Sequence, residues 1–91
     1  MQKKYYNMII SEKLSYNEAL NRLTNKKAKF ITRPEWSGVH FLSKEGKYCI
    51  LLKTGGLIID PEEKYDINKD DWIVVNITSE GYNILDQANL I

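Results

Sequence analysis

Val39-His40-Phe41-Leu42-Ser43-Lys44-Glu45-Gly46-Lys47-Tyr48-Cys49-Ile50-Leu51-Leu52-Lys53-Thr54-Gly55-Gly56-Leu57-Ile58-Ile59 reads as three strands separated by two short turns. Val39 to Leu42 is β-prone, and Lys44-Glu45-Gly46 is a polar turn. The continuous apolar centre from Tyr48 to Leu52 fits a strand buried on both faces, closed by Thr54-Gly55-Gly56. Gly55-Gly56 lacks the Lys and Ser/Thr of a phosphate-binding loop and opens no helix, so it reads as a hairpin turn.

Upstream, Ser15-Tyr16-Asn17-Glu18 is a capping box, in which the Ser hydroxyl accepts from the third helical N–H and the Glu reaches back to the cap amide. Tyr16, Ala19, Leu20 and Leu23 follow at one-face helical spacing, which predicts a helix of about three turns. Arg22, Lys26 and Lys27 near its end complement the helix dipole. From Ala28 the periodicity becomes alternating. Downstream, Ile73-Val74-Val75-Asn76-Ile77-Thr78 is a β-branched run that predicts an inner strand. The tail from Tyr82 to Ile91 fits either a short helix or an edge strand. The sum is an α+β fold, a small antiparallel sheet of about four to five strands with one N-terminal helix packed across it. Residues 1–13 form an N-terminal strand or arm, and residues 14–91 a single domain.

Composition narrows the function. The 91 residues are 43% hydrophobic and 27% charged, and no apolar run approaches the length needed to cross a bilayer. With no signal-peptide pattern at the start, the expected location is the cytoplasm. One cysteine, Cys49, and one histidine, His40, cannot build a zinc cluster. His40 falls in a strand and Cys49 in an apolar run, so no nucleophile stands beside a base and an orienting group. The carboxylates of Asp60-Pro61-Glu62-Glu63-Lys64-Tyr65-Asp66 lack the spacing of a calcium loop and read as a solvated linker. No metal, no cofactor and no catalytic residue is expected. Net charge is +1, divided as +6 over residues 1–33 and −5 over residues 34–91. That split suits self-association between unlike surfaces or a local anion site, and so small an excess disfavours extended nucleic acid as a partner.

Chemistry concentrates in Thr32-Arg33-Pro34-Glu35-Trp36-Ser37-Gly38. Pro34 fixes its own φ and pushes Arg33 toward extended geometry, and the stretch carries a guanidinium and an indole. The pair suits a nucleotide or an acidic peptide, or else a Trp packed in the core with the Arg across it. Trp72 beside Asp71 repeats the motif of an indole next to a hydrogen-bonding group.

In order and spacing, Ser15-x-x-Glu18-Ala19-Leu20, Arg33-x-x-Trp36-x-Gly38 and Asp71-Trp72-Ile73-Val74-Val75 resemble the small phage-associated domain of the second type of Thoeris anti-defence protein, over roughly Leu14 to Ile77. The resemblance implies a catalytically inert homo-oligomer, commonly a tetramer, with sites between protomers. It implies a sponge in the host bacterial cytoplasm that sequesters cyclised ADP-ribose, and in some members cyclic dinucleotides. Carried onto this chain, Arg33 would meet a phosphate, Trp36 would stack on a base, Asn76 or Thr78 would complete the pocket, and Trp72 would line it or anchor the fold. Where family members often carry a further Trp, this chain has Ile59-Asp60-Pro61-Glu62, leaving Tyr48 or Tyr65 to supply that stacking surface. A different class of function, a protein-binding module acting on a host protein through an exposed aromatic patch or sheet edge, fits the same residues.

Overall fold

The computed structural model describes residues 5–34, 38–63 and 66–91. The elements run β1 (Tyr6–Ile9), α1 (Tyr16–Thr24), β2 (Ile31–Thr32), β3 (Gly38–Leu42), β4 (Tyr48–Leu52), β5 (Leu57–Ile59), β6 (Ile73–Ile77) and α2 (Ser79–Gln87). The fold is α+β. All six strands join one antiparallel sheet in the order β1-β6-β2-β3-β4-β5.

β2 to β5 form the expected meander. Its last hairpin closes through the Gly55 N–H to the Leu52 carbonyl at 2.9 Å, with Gly55 at φ +90°, a conformation glycine adopts freely. β6 does not extend the meander. It returns to the other side of β2 and covers the edge that β2 would otherwise present, with Ile31 opposite Val74 and Thr32 opposite Ile73. β1 then pairs with the outer side of β6, which makes the N-terminal arm an edge strand of the sheet. The strand count is therefore six rather than four to five, because two of the pairings link residues far apart in sequence.

Side-chain alternation divides the core into two layers. On one face Ile73, Val75 and Ile77 pack with Phe30, Val39, Phe41, Cys49, Leu51 and Leu85 of α2. On the other, Trp72 and Val74 pack with Ile31 and with Leu14, Tyr16, Ala19 and Leu23 from α1 and its approach. One helix thus covers each face. The capping box of α1 is present, with the Glu18 N–H donating to Ser15 Oγ and the Ser15 N–H to Glu18 Oε1, both at 3.1 Å. The tail is α2, capped by Thr78, whose Oγ1 accepts from the Gly81 N–H at 3.1 Å. Among the described residues no helix is long and apolar enough to cross a membrane.

Candidate functional site

The register of β2 on β6, continued by one residue, sets Arg33 across from Trp72, and there the separate motifs meet. The guanidinium donates through Nε to Asp71 Oδ1 at 2.6 Å and through Nη2 to Asp71 Oδ2 at 3.0 Å. Its Nη1 lies 3.1 Å from Asp66 Oδ2. The paired geometry on Asp71 matches the flat fork of a guanidinium to a carboxylate. Asp71 raises the Arg33 pKa further above its usual value, against a smaller opposing effect of burial, and the Arg33 hydrogen bonds hold the Asp71 carboxyl below the usual carboxylate range.

Asp66 ties this ion group to the core. Its φ is +57°, and its carbonyl accepts from Trp72 Nε1 at 3.1 Å while its carboxylate faces Arg33. Thr32 Oγ1 donates to the Gly38 carbonyl at 2.5 Å, closing the base of the segment between β2 and β3. Trp36 and Tyr65, two of the expected ligand contacts, lie outside the described residues.

The other expected site residues are dispersed. Trp72 is fully buried, with its ring centroid 5.0 Å from that of Tyr16 and 4.9 Å from that of His40. Of the two roles the resemblance allows it, lining a pocket or anchoring the fold, its position is that of the anchor, because no face of the indole is open to a ligand. Asn76 is exposed on β6 beside Met8, four residues beyond Trp72 and so about 13 Å along the strand from the Arg33 corner. Thr78 lies farther still and its hydroxyl caps α2. One chain therefore does not gather Arg33, Asn76 and Thr78 into one pocket.

Behind Trp72 runs a polar chain that sequence reading missed. Tyr16 donates its hydroxyl proton to Tyr48 Oη at 3.1 Å, and Tyr48 Oη lies 2.5 Å from His40 Nδ1. Burial pushes the His40 pKa down to about 3, with Asp66 opposing, and raises that of Tyr48. Burial also pushes the Cys49 thiol up. Near neutral pH all three side chains rest in their uncharged forms. Asp66 was missed as well, since in sequence it is one more acidic residue of a polar linker and nothing local marks its left-handed backbone.

Comparison with protein-family models, with curated proteins and with solved structures gave no match to this chain.

The Arg33 group makes an acid-side prediction. A carboxylate with a folded pKa below its unfolded value of about 3.9 stabilises the fold above that pH, and the contribution disappears as pH falls through the folded pKa. Because the partners are partly exposed, Asp71→Asn should cost only about 1 kcal/mol at neutral pH. It should also remove part of the stability loss below about pH 4, read by urea unfolding against pH.

Proposed function

We propose that this chain is a non-catalytic, homo-oligomeric sponge that binds and sequesters a cyclised ADP-ribose or cyclic dinucleotide messenger, thereby blocking bacterial anti-phage defence. The observation that carries the reading is that Arg33 of one motif meets Asp71 of another, beside the Trp72 indole. Tyr16 of the capped helix packs on Trp72, and Arg33 is clamped by Asp71, although these groups are far apart in sequence. A guanidinium has more N–H donors than its two carboxylates engage here, and because Asp66 and Asp71 together leave the group net negative, a phosphate at Arg33 takes the place of one of them. Trp36, three residues on, provides the stacking surface in this reading. Asn76 and Thr78, distant within one chain, enter the site from a neighbouring protomer. The outer edge of β1 supports self-association, since Met8, Ile9 and Ile10 are each more than half exposed.

The test is to incubate the protein with a panel of cyclised ADP-ribose isomers and cyclic dinucleotides, separate bound from free, and heat-denature the complex. Intact ligand should be recovered in stoichiometric amounts, and Trp36→Ala and Arg33→Lys should each weaken binding at least about tenfold, or about 1.4 kcal/mol. A cleaved product, or no ligand carried through separation, would overturn the reading.

The same β1 edge favours one other reading, an inhibitor that pairs with a host protein at Met8 to Ile10. That reading requires anti-defence activity to survive Arg33→Lys and to fail with Ile9→Lys.

A further inference from the structure

At the opposite end of β2 and β3 from Arg33, the last turn of α1, the start of β2, the β3–β4 turn and α2 enclose an open groove of about 710 Å³. That volume is within the range of small-molecule sites. Its apolar side includes Phe30, Phe41 and Tyr82, and its cations are Lys26, Lys29 and Lys44, with Glu45 the single acidic side chain among the lining residues. Neither Lys26 nor Lys29 has an ion-pair partner among the described residues. Lys44 Nζ donates to Asn89 Oδ1 at 2.5 Å, which holds its ammonium toward the end of α2.

Two details distinguish this groove from a chance fold in the surface. Tyr82 is 37% exposed and meets Phe30 edge-on, with centroids 5.6 Å apart at 83°, so its ring is fixed by the core while remaining open to solvent. Lys26 has φ +60° just beyond the end of α1, a position where glycine is favoured and a side chain carries a backbone cost. Three lysines against the one carboxylate of Glu45 give the side chains lining the groove a net positive charge, even though the whole chain is nearly neutral.

We propose that this groove is a second ligand site, taking a small anion with an aromatic body: Lys26, Lys29 and Lys44 receive its phosphate or carboxylate, and Tyr82 stacks on its ring. The site shares no residue with the Arg33 corner and does not depend on the function proposed there.

The probe is anilinonaphthalene sulfonate, an aromatic anion, titrated into the full chain by fluorescence beside the uncharged N-phenyl-naphthylamine. Expected are saturable one-to-one binding of the anion and much weaker binding of the neutral ring. Lys29→Glu combined with Lys44→Glu should weaken the anion at least about tenfold and lower the thermal midpoint only slightly, because both side chains are exposed and the one bond lost, Lys44 to Asn89, is at the surface. Lys26→Gly provides a control for folding, since it should raise the midpoint and still weaken binding several-fold. Arg33→Lys should leave probe binding unchanged. Displacement by adenosine monophosphate but not by benzoate would identify phosphate as the preferred head group, and the reverse would identify carboxylate. Absent saturation, equal binding of the neutral ring, or unchanged affinity in the double Lys variant would each overturn the proposal.

Discussion

Trp72→Ala is expected to lower the stability of this chain by about 3–5 kcal/mol, a large part of the 5–15 kcal/mol that ordinarily holds a domain together. The indole is fully buried and touches three parts of the fold at once. Its ring packs on Tyr16 of α1 and on His40 of β3, and its Nε1 donates to the Asp66 carbonyl. Its backbone pairs with Leu14, through the Leu14 N–H to the Trp72 carbonyl at 2.7 Å and the Trp72 N–H to the Leu14 carbonyl at 3.0 Å. Truncation would leave a cavity between helix and sheet that neither can close without losing other contacts. Trp72→Phe preserves much of the packing but removes the indole donor from Asp66, so it should cost less, about 2 kcal/mol. Urea unfolding of the two variants checks the order. If Trp72→Ala cost under about 1 kcal/mol, the indole would not be the anchor its position implies. For binding experiments Trp72→Phe is the informative change, because loss of ligand by Trp72→Ala would report unfolding.

Local signals were legible in the sequence and non-local ones were not. The capping box needs only Ser15 and Glu18, three residues apart, and both of its bonds form. The hairpins from Val39 to Ile59 are likewise written in adjacent runs and turns. The second helix was ambiguous because Tyr82-Asn83-Ile84-Leu85 has neither clean helical nor alternating apolar spacing, and Gly81 in its first turn lowers helix propensity. Its docking resolves the ambiguity. Gly81 is buried against the chain leading into β1, where a Cβ would lie 3.4 Å from the Tyr5 carbonyl oxygen and from Tyr5 Cβ, and Leu85 packs into the core. No run of sequence specifies that β6 inserts between β1 and β2, since both pairings join residues far apart in the chain.

The candidate site divides along the same line. Arg33 and Asp71 stand out by type, but their bidentate contact follows from the register that places Thr32 opposite Ile73. Of the groove lysines, Lys26 reads in sequence as a partner of the helix dipole and Lys44 as part of a polar turn, and nothing local joins them to Lys29, because their assembly around Tyr82 depends on how α2 packs across the sheet. Asp66 combines both lessons: a polar loop residue by sequence, it is the link between the ion group on the surface and the indole beneath.

His40 should make the fold labile well above the pH at which carboxylates protonate. The imidazole is 1% exposed, between the Trp72 ring and Tyr48. A hydrogen bond joins His40 Nδ1 to Tyr48 Oη, which is joined in turn to the Tyr16 hydroxyl. Adding a second proton would charge a buried ring, so the folded pKa falls to about 3 against a smaller opposing effect of Asp66, whereas the unfolded chain has the ordinary value of about 6.5. Between those two values the unfolded state binds the proton and the folded state does not. Stability is therefore complete above about pH 6.5 and declines as pH falls, by about 1.4 kcal/mol per unit, until the folded imidazole itself protonates. By about pH 4.5 the loss should reach 2–3 kcal/mol, before the Asp71 contribution begins to fade. His40→Gln, which retains an acceptor and does not titrate, should have lower stability at neutral pH and a much flatter profile between about pH 7 and pH 4.5. Urea midpoints across that window decide the matter, and equal slopes for the two proteins would show that the imidazole does not control the acid response.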